Sequence, residues 1–408
     1  MSYHVFSLVI LLATSGVAFP QENRFNGRLP LKVNLEPRFL KLGIEPRVQG
    51  GRPTCGIFTV TAIAEFEYSQ ANPHACKHLS EEFLIWAANE AGGLSGNQKF
   101  FFETVHGLNT FGICSAELMP YEKTTDASRA PSQKALADAK GKCKRWKVHW
   151  IKRWDVKESL TDSQLIAIKS ALANGHPVAC GLRWPKALPG SFVLEVPPAS
   201  DVFDGHGIVF TGYEENASKP SVFYFRNTNG RQWGTDGSGV MSYSYLRAYA
   251  NDAIWLELGA PDSEAPIERF EAESMTVLAK EKCRTIQQKI ESWRAKMWSQ
   301  GEHLLCMADQ GGRVELGFRV RKRGRYRLRV LATAAPDFGT IRVALDGKPE
   351  QRDFNLYSGR VCPAGSLELG DHELTAGIHK LRFTAATKSL ASTGYFFGLD
   401  AVDLLSAK

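Results

Sequence analysis

A thiol, an imidazole and a neutral side-chain amide can together run nucleophilic chemistry near neutral pH. The sulfur attacks, the ring takes and returns a proton, and the amide orients the ring. Of the eight cysteines in the chain, Cys55 has the setting for this role. It follows the tight loop Gly50-Gly51-Arg52-Pro53-Thr54. It also opens a stretch crowded with Ile57, Phe58, Val60, Ala62, Ile63, Ala64 and Phe66, which predicts a helix over 55–69 buried on most sides. The free N–H groups and positive end of such a helix favour thiolate over thiol. Taken alone, Cys55 reads equally well as a buried structural cysteine or half of a disulfide. Ten histidines compete for the role of base. His206 stands out because it opens the apolar run 207–213, which predicts a strand. Asn227 ends the strand-like run 222–225 two residues on, where 227–230 also reads as a hairpin turn.

The surrounding elements follow from pattern. Ser80-Glu81-Glu82-Phe83 predicts a capping box opening a helix through Ala87, ended by Gly92-Gly93. Residues 162–173 predict a third helix, stopped by Asn174-Gly175, and 177–182 and 239–243 predict strands. Helices first and antiparallel strands afterwards make an α+β domain. Residues 24–47 show no helical period and read as an extended arm.

Several segments resemble the papain-like cysteine peptidases, over residues 30–257. The ungapped segment Val48 to Phe58 resembles their nucleophile segment, with Gln49 six residues before Cys55. The resemblance implies that Gln49 donates its side-chain amide to an oxyanion beside the Cys55 N–H. Asp204-Gly205-His206-Gly207 through Tyr213 resembles the strand that carries the base, about 150 residues after the cysteine as in that family. Phe223 through Asn227-Thr228-Asn229-Gly230-Arg231-Gln232-Trp233-Gly234 is similar to the segment that carries the ring-orienting Asn. Trp233-Gly234 is in register, and Asn229 replaces the tryptophan that shields the Asn–His bond from water. Residues 94–97 match the glycine pair, so Gly96 is implied to meet the substrate backbone, with Trp233 also at the substrate cleft. Residues 112–121 match the stretch that ends in Pro-Tyr. Arg52 stands where the family has a disulfide cysteine and Gly56 where it has a tryptophan, a form closer to bacterial members. The implied fold has a helical subdomain and an antiparallel barrel-like subdomain. The implied activity is endopeptidase, without metal or cofactor, on protein or peptide substrates. The alternatives are an inactive papain fold that binds at a glycan or cell surface, and acyl transfer to an amine through the same residues.

The 408 residues, 43% of them hydrophobic, allow two packed cores. The net charge of +7 is spread along the chain without the dense basic run of a nucleic-acid binder. The apolar run 5–13 and the small residues Gly16-Val17-Ala18 predict a signal peptide over 1–18 and a secreted or periplasmic product. No later stretch predicts a membrane span. The peptidase domain is expected over 19–258, after an arm too short for the family's long inhibitory propeptide. A turn-rich linker is expected over 259–267 and an all-β sandwich or jelly roll over 268–408, where alternation such as Tyr326, Leu328, Val330 takes over. Before that alternation, Ile286, Ile290, Trp293 and Met297 fall on one face of an amphipathic segment. The C-terminal region resembles carbohydrate-binding modules, from 270–274 to 398–404, so a glycan is a possible partner. Phe338, Tyr357, Tyr395 and Phe396 are its candidate stacking aromatics, with most of them expected in the core or rim. Glu271, Glu273 and Asp400 are expected as solvated carboxylates rather than calcium ligands.

Overall fold

The computed structural model describes residues 29–72, 78–142, 146–187, 193–259, 266–290 and 295–407. The expected signal peptide, residues 260–265 of the expected linker, Cys76, Cys143 and Trp293 lie outside the described residues. Seven helices are described: α1 (Glu36–Lys41), α2 (Cys55–Ala71), α3 (Glu81–Gly92), α4 (Phe101–Phe111), α5 (Gln133–Gly141), α6 (Asp162–Ala173) and α7 (Tyr243–Tyr249). None is long and apolar enough to cross a membrane. The first sheet contains β1 (Lys32–Asn34), β2 (Trp146–Lys152), β3 (Val178–Pro185), β4 (Val193–Leu194), β5 (Val202–Glu214), β6 (Val222–Arg226), β7 (Ser238–Ser242) and β8 (Ala250–Leu258). Its order is β2-β8-β3-β5-β6-β7-β4, with β1 added beside β5.

The expected helices form at the expected places, with two differences in detail. Ser80 caps α3 by accepting from the Phe83 N–H at 2.9 Å, but the residue returning the bond in a full capping box is here a phenylalanine, so only half the box exists. The full box belongs to α6, where Thr161 and Gln164 cap one another. The arm before Cys55 is not all extended. Pro37 stands in the first turn of α1, where its fixed φ suits a helix start, and Phe39 pins the helix into the core. α2 is buried all round, which explains its nearly continuous apolar sequence. Gly107 of α4 sits against α3 so closely that a Cβ would lie 2.5 Å from the Ala88 nitrogen.

The C-terminal region is all β: β9 (Glu268–Glu271), β10 (Thr276–Lys289), β11 (Glu302–Val320), β12 (Gly324–Ala334), β13 (Thr340–Leu345), β14 (Lys348–Asn355), β15 (Cys362–Leu374), β16 (Gly377–Thr387) and β17 (Phe397–Ser406). Its central order is β14-β13-β16-β11-β17-β12-β15, with β10 on β11 and β9 on β17. Residues 276–289, which include the start of the expected amphipathic segment at Ile286, are thus a strand. The backbone pairs with β11 from Thr276↔Gly317 to Lys289↔Glu302, and this ladder overrides a helix-like spacing of Ile286 and Ile290. Asp346 and Gly347 both take positive φ, as the two-residue turn between β13 and β14 requires.

The two regions have separate cores that touch. Phe102 of α4 is 4% exposed and packs within the C-terminal core. Arg153 donates to the carbonyls of Asn355 at 2.9 Å and Ala364 at 2.5 Å, and the Tyr357 hydroxyl donates to Asp155 at 2.6 Å. The Arg360 guanidinium lies over the Phe100 ring at 4.3 Å and the Trp154 ring at 4.6 Å. Of the candidate stacking aromatics, Phe338 and Tyr357 are buried, and Tyr395 and Phe396 are half-buried against the core. Asp400 is buried rather than solvated. It accepts from the Ser299 N–H at 3.0 Å, and burial pushes its carboxyl up to about 7.

Candidate active site

Cys55 occupies the first position of α2, and Thr54 before it gives no side-chain cap. The Thr54 hydroxyl is drawn instead to Tyr121 Oη, 2.8 Å away. The first N–H groups of the helix are thus left without a side-chain cap beside the sulfur. Strand β5 crosses this helix start because Gly207 carries no side chain. A Cβ there would lie 2.8 Å from Thr59 Oγ1 and 3.2 Å from the Cys55 carbonyl. The crossing brings the Cys55 sulfur 3.8 Å from the Gly205 carbonyl, one residue from His206. Gly56 serves the opposite side, since a Cβ would come within 2.7 Å of the Lys99 carbonyl. That approach is the physical consequence of having glycine where the family has tryptophan.

His206 Nε2 lies 2.7 Å from Asn227 Oδ1. The Thr228 N–H also donates to that oxygen, at 2.8 Å, so the amide presents its acceptor to the ring. Nε2 therefore carries the proton and Nδ1 keeps the lone pair of a base. Burial pushes His206 down and the bond to Asn227 pushes it back up. Burial pushes the Cys55 thiol up, opposed by the N–H groups of Gly207, Gly56 and Cys55 itself. An isolated charge on either group is disfavoured. A proton passed from sulfur to ring creates a net-neutral pair and avoids that cost.

A different tryptophan lies beside His206. Asn229 is exposed, but Trp184 of β3 is 7% exposed and its ring centroid lies 4.5 Å from that of His206. Trp184 also meets Phe225 and Trp233, at 6.0 and 6.2 Å, so one aromatic group covers the His206 side of the site. Sequence reading missed Trp184, which lies 22 residues before His206 in the chain. No local signal marks it, because the pairing of β3 with β5 is what brings it to His206.

Gln49 is held at both ends of its amide. Oε1 accepts from the Thr228 hydroxyl at 2.5 Å, and Nε2 donates to the Arg52 carbonyl at 2.9 Å. Its backbone N–H donates to the Thr228 carbonyl at 2.9 Å. Residues 227 and 228 thus hold the ring of His206 and the amide of Gln49 respectively. Gly96 lies on an exposed loop with φ 78°, and its carbonyl accepts from Lys99 Nζ at 2.8 Å and Asn89 Nδ2 at 3.1 Å. Trp233 is half-buried behind Trp184, against Phe225 at 5.7 Å. Among the described residues no group of three or more His, Cys, Asp or Glu could hold a metal ion.

Among solved structures, xylellain, a cysteine protease from Xylella fastidiosa, is 22% identical with a TM-score of 0.48, covering 57% of this chain and 88% of that one. Digestive procathepsin L 3 of Tenebrio molitor larval midgut is 20% identical with a TM-score of 0.45, covering 57% and 71%. The proform of the ragweed pollen cysteine protease Amb a 11 is 18% identical with a TM-score of 0.42, covering 59% and 69%. No curated protein matches. The sequence profile of the papain family of cysteine proteases matches residues 45–249, half of the chain. On that match the chain belongs to the papain family and is a cysteine-type peptidase.

Proposed function

We propose that the chain is a secreted cysteine endopeptidase with Cys55 as nucleophile, His206 as base, Asn227 as the group that orients it, and Gln49 as oxyanion donor. The observation that carries this reading is the adjacent pair Asn227-Thr228, whose side chains fix His206 and Gln49 respectively. The thiol proton passes to His206 Nδ1, and the sulfur bonds to the carbonyl carbon of the scissile peptide. The carbonyl π electrons move to oxygen, where Gln49 Nε2 and the Cys55 N–H receive the charge. An amide nitrogen has two hydrogens, so Nε2 donates one to the Arg52 carbonyl and keeps the other for the oxyanion. His206 then protonates the departing amine, and water, deprotonated by His206, releases the acyl group. Trp233 lines the leaving-group side of the cleft. For Gly96, substrate contact is assigned to its N–H, because its carbonyl is already engaged.

The same proposal takes residues 1–18 as a signal peptide, 19–258 as the peptidase domain, 259–267 as linker and 268–408 as a jelly-roll sandwich. Two separate core clusters support the division. A glycan is its possible ligand. Contact is assigned to Tyr395, since Phe338 and Tyr357 are buried, and loss of oligosaccharide binding in Tyr395→Ala tests it. For the peptidase, the mature protein is treated with a thiol-directed epoxide and the modified residue is mapped by mass spectrometry, with Cys55→Ala as control. Stoichiometric labelling of Cys55 with cleavage of casein is expected. A folded protein that is not labelled and does not cleave overturns the proposal in favour of a binding role.

A further inference from the structure

We infer that Arg52 is a positioning residue for the oxyanion donor, acting through its own carbonyl on Gln49; the inference rests on the roles proposed above for Gln49 and Cys55. Arg52 is 5% exposed, although it lies in the surface loop before the nucleophile. Its guanidinium reaches three separate segments. It binds Glu82 of α3 through both terminal nitrogens, at 2.6 and 3.1 Å, the Asn97 side-chain oxygen at 2.8 Å and the Glu122 carbonyl at 2.7 Å. It also lies over the Tyr121 ring at 4.6 Å. The planar fork of arginine makes such an arrangement rigid, and a lysine ammonium could not reproduce it.

The other end of the residue faces the site. The Arg52 carbonyl accepts from Gln49 Nε2 at 2.9 Å and from the Thr54 N–H at 2.8 Å. Tyr121, held under the guanidinium, donates its hydroxyl to the Gln49 carbonyl at 2.9 Å and meets the Thr54 hydroxyl. The arginine therefore fixes the backbone acceptor that aims the amide, and its aromatic partner fixes the backbone of the same glutamine. An oxyanion donor acts only if aimed before the charge develops. A loosened Arg52 carbonyl leaves the Gln49 amide held only at Oε1 by the Thr228 hydroxyl, with its donor end no longer aimed. The groups that bond the sulfur itself, the Gly205 carbonyl and the N–H groups of Gly207, Gly56 and Cys55, include neither Arg52 nor Tyr121, so its reactivity is read out separately from the aim of Gln49.

The test uses the full chain and two probes of Cys55. A peptide aldehyde forms a hemithioacetal whose oxygen occupies the oxyanion position. Dipyridyl disulfide is attacked by the thiolate at sulfur and releases pyridinethione, with no oxyanion formed. Arg52→Lys is expected to weaken aldehyde binding at least about tenfold, within the roughly 10²–10³ that a whole donor supplies. Disulfide exchange is expected to stay within about twofold of the parent. Gln49→Ala is expected to show the same split, with Arg52→Lys adding nothing in that background. Glu82→Gln keeps the packing and weakens the clamp, so it carries the test should Arg52→Lys not fold. Unchanged aldehyde binding in either folded variant, a parallel fall with both probes, or an Arg52 effect that persists without Gln49 overturns the inference. A parent protein that reacts with neither probe overturns the underlying site assignment, and the inference with it.

Discussion

Removing Asn227 tests the base most directly. The residue is 3% exposed, and its Oδ1 accepts from His206 at 2.7 Å and from the Thr228 N–H at 2.8 Å. Its Nδ2 is buried with no hydrogen-bond partner among the described residues. The bond to His206 gains strength when the ring becomes an imidazolium, and a hydrogen bond to a charged group contributes about 1.5–3 kcal/mol. At 1.36 kcal/mol per decade, Asn227→Ala should lower kcat/KM by roughly 10- to 150-fold. The sign on pH follows from the same contact. Burial already pushes His206 down and the Asn227 bond opposes it, so the alanine variant moves the limb of the pH profile set by His206 titration to lower pH. Asn227→Asp has the opposite effect. It replaces the unpartnered NH₂ with an oxygen and sets a negative charge beside the ring, which should move that limb up by about 1 unit or more. The assay is kcat/KM on a fluorogenic peptide across pH, with thermal unfolding to show that each variant folds. An alanine variant within about twofold of the parent at an unmoved profile refutes the reasoning, as do alanine and aspartate shifts in the same direction.

Trp184→Ala should open the His206–Asn227 bond to water and weaken it by about 1 kcal/mol, roughly a fivefold loss in kcat, while Asn229→Ala, at an exposed side chain, should change nothing; equal effects would refute the assignment of the shield. Asp252 sits on β8 where Gly181 leaves room for its carboxylate, and burial pushes it up to about 7. Its folded value lies above its unfolded one, so its contribution to stability is full below about pH 4 and is lost as pH rises through about 7, up to about 4 kcal/mol in all. Asp252→Asn should therefore gain stability over the parent as pH rises from about 5 to about 8, and parallel urea midpoints across that range would refute it. Phe102→Ala removes a ring of α4 that packs in the C-terminal core and should cost about 3–5 kcal/mol in urea unfolding, with a loss under about 1 kcal/mol refuting the view that α4 ties the two separate cores together.

What the sequence determined by itself about this protein is what local chemistry writes into a few adjacent residues. The helix from Cys55 is legible because nearly every position is small or apolar. The helix from Asp162 is legible because its cap and stop are both present. The strand carrying His206 and the strand that ends just before Asn227 are legible because each is an apolar run beside turn residues. Gln49, Cys55, His206 and Asn227 could be named together because each sits inside a contiguous motif. The pattern failed where pairing between distant segments outweighs spacing. The amphipathic segment expected from Ile286 begins inside a strand, because residues 276–289 find a ladder along β11. Only the tertiary structure decided that Arg52, read simply as a missing cysteine, is a buried clamp to Glu82, Asn97 and Glu122. It likewise decided that Trp184 packs against the His206 ring, and that Asp400 is buried and not solvated. Capping, helix burial and strand pattern act over a few residues, so a single chain displays them. The partner of a buried charge or an aromatic ring is chosen by the packing of segments tens of residues apart, and no local pattern records that choice.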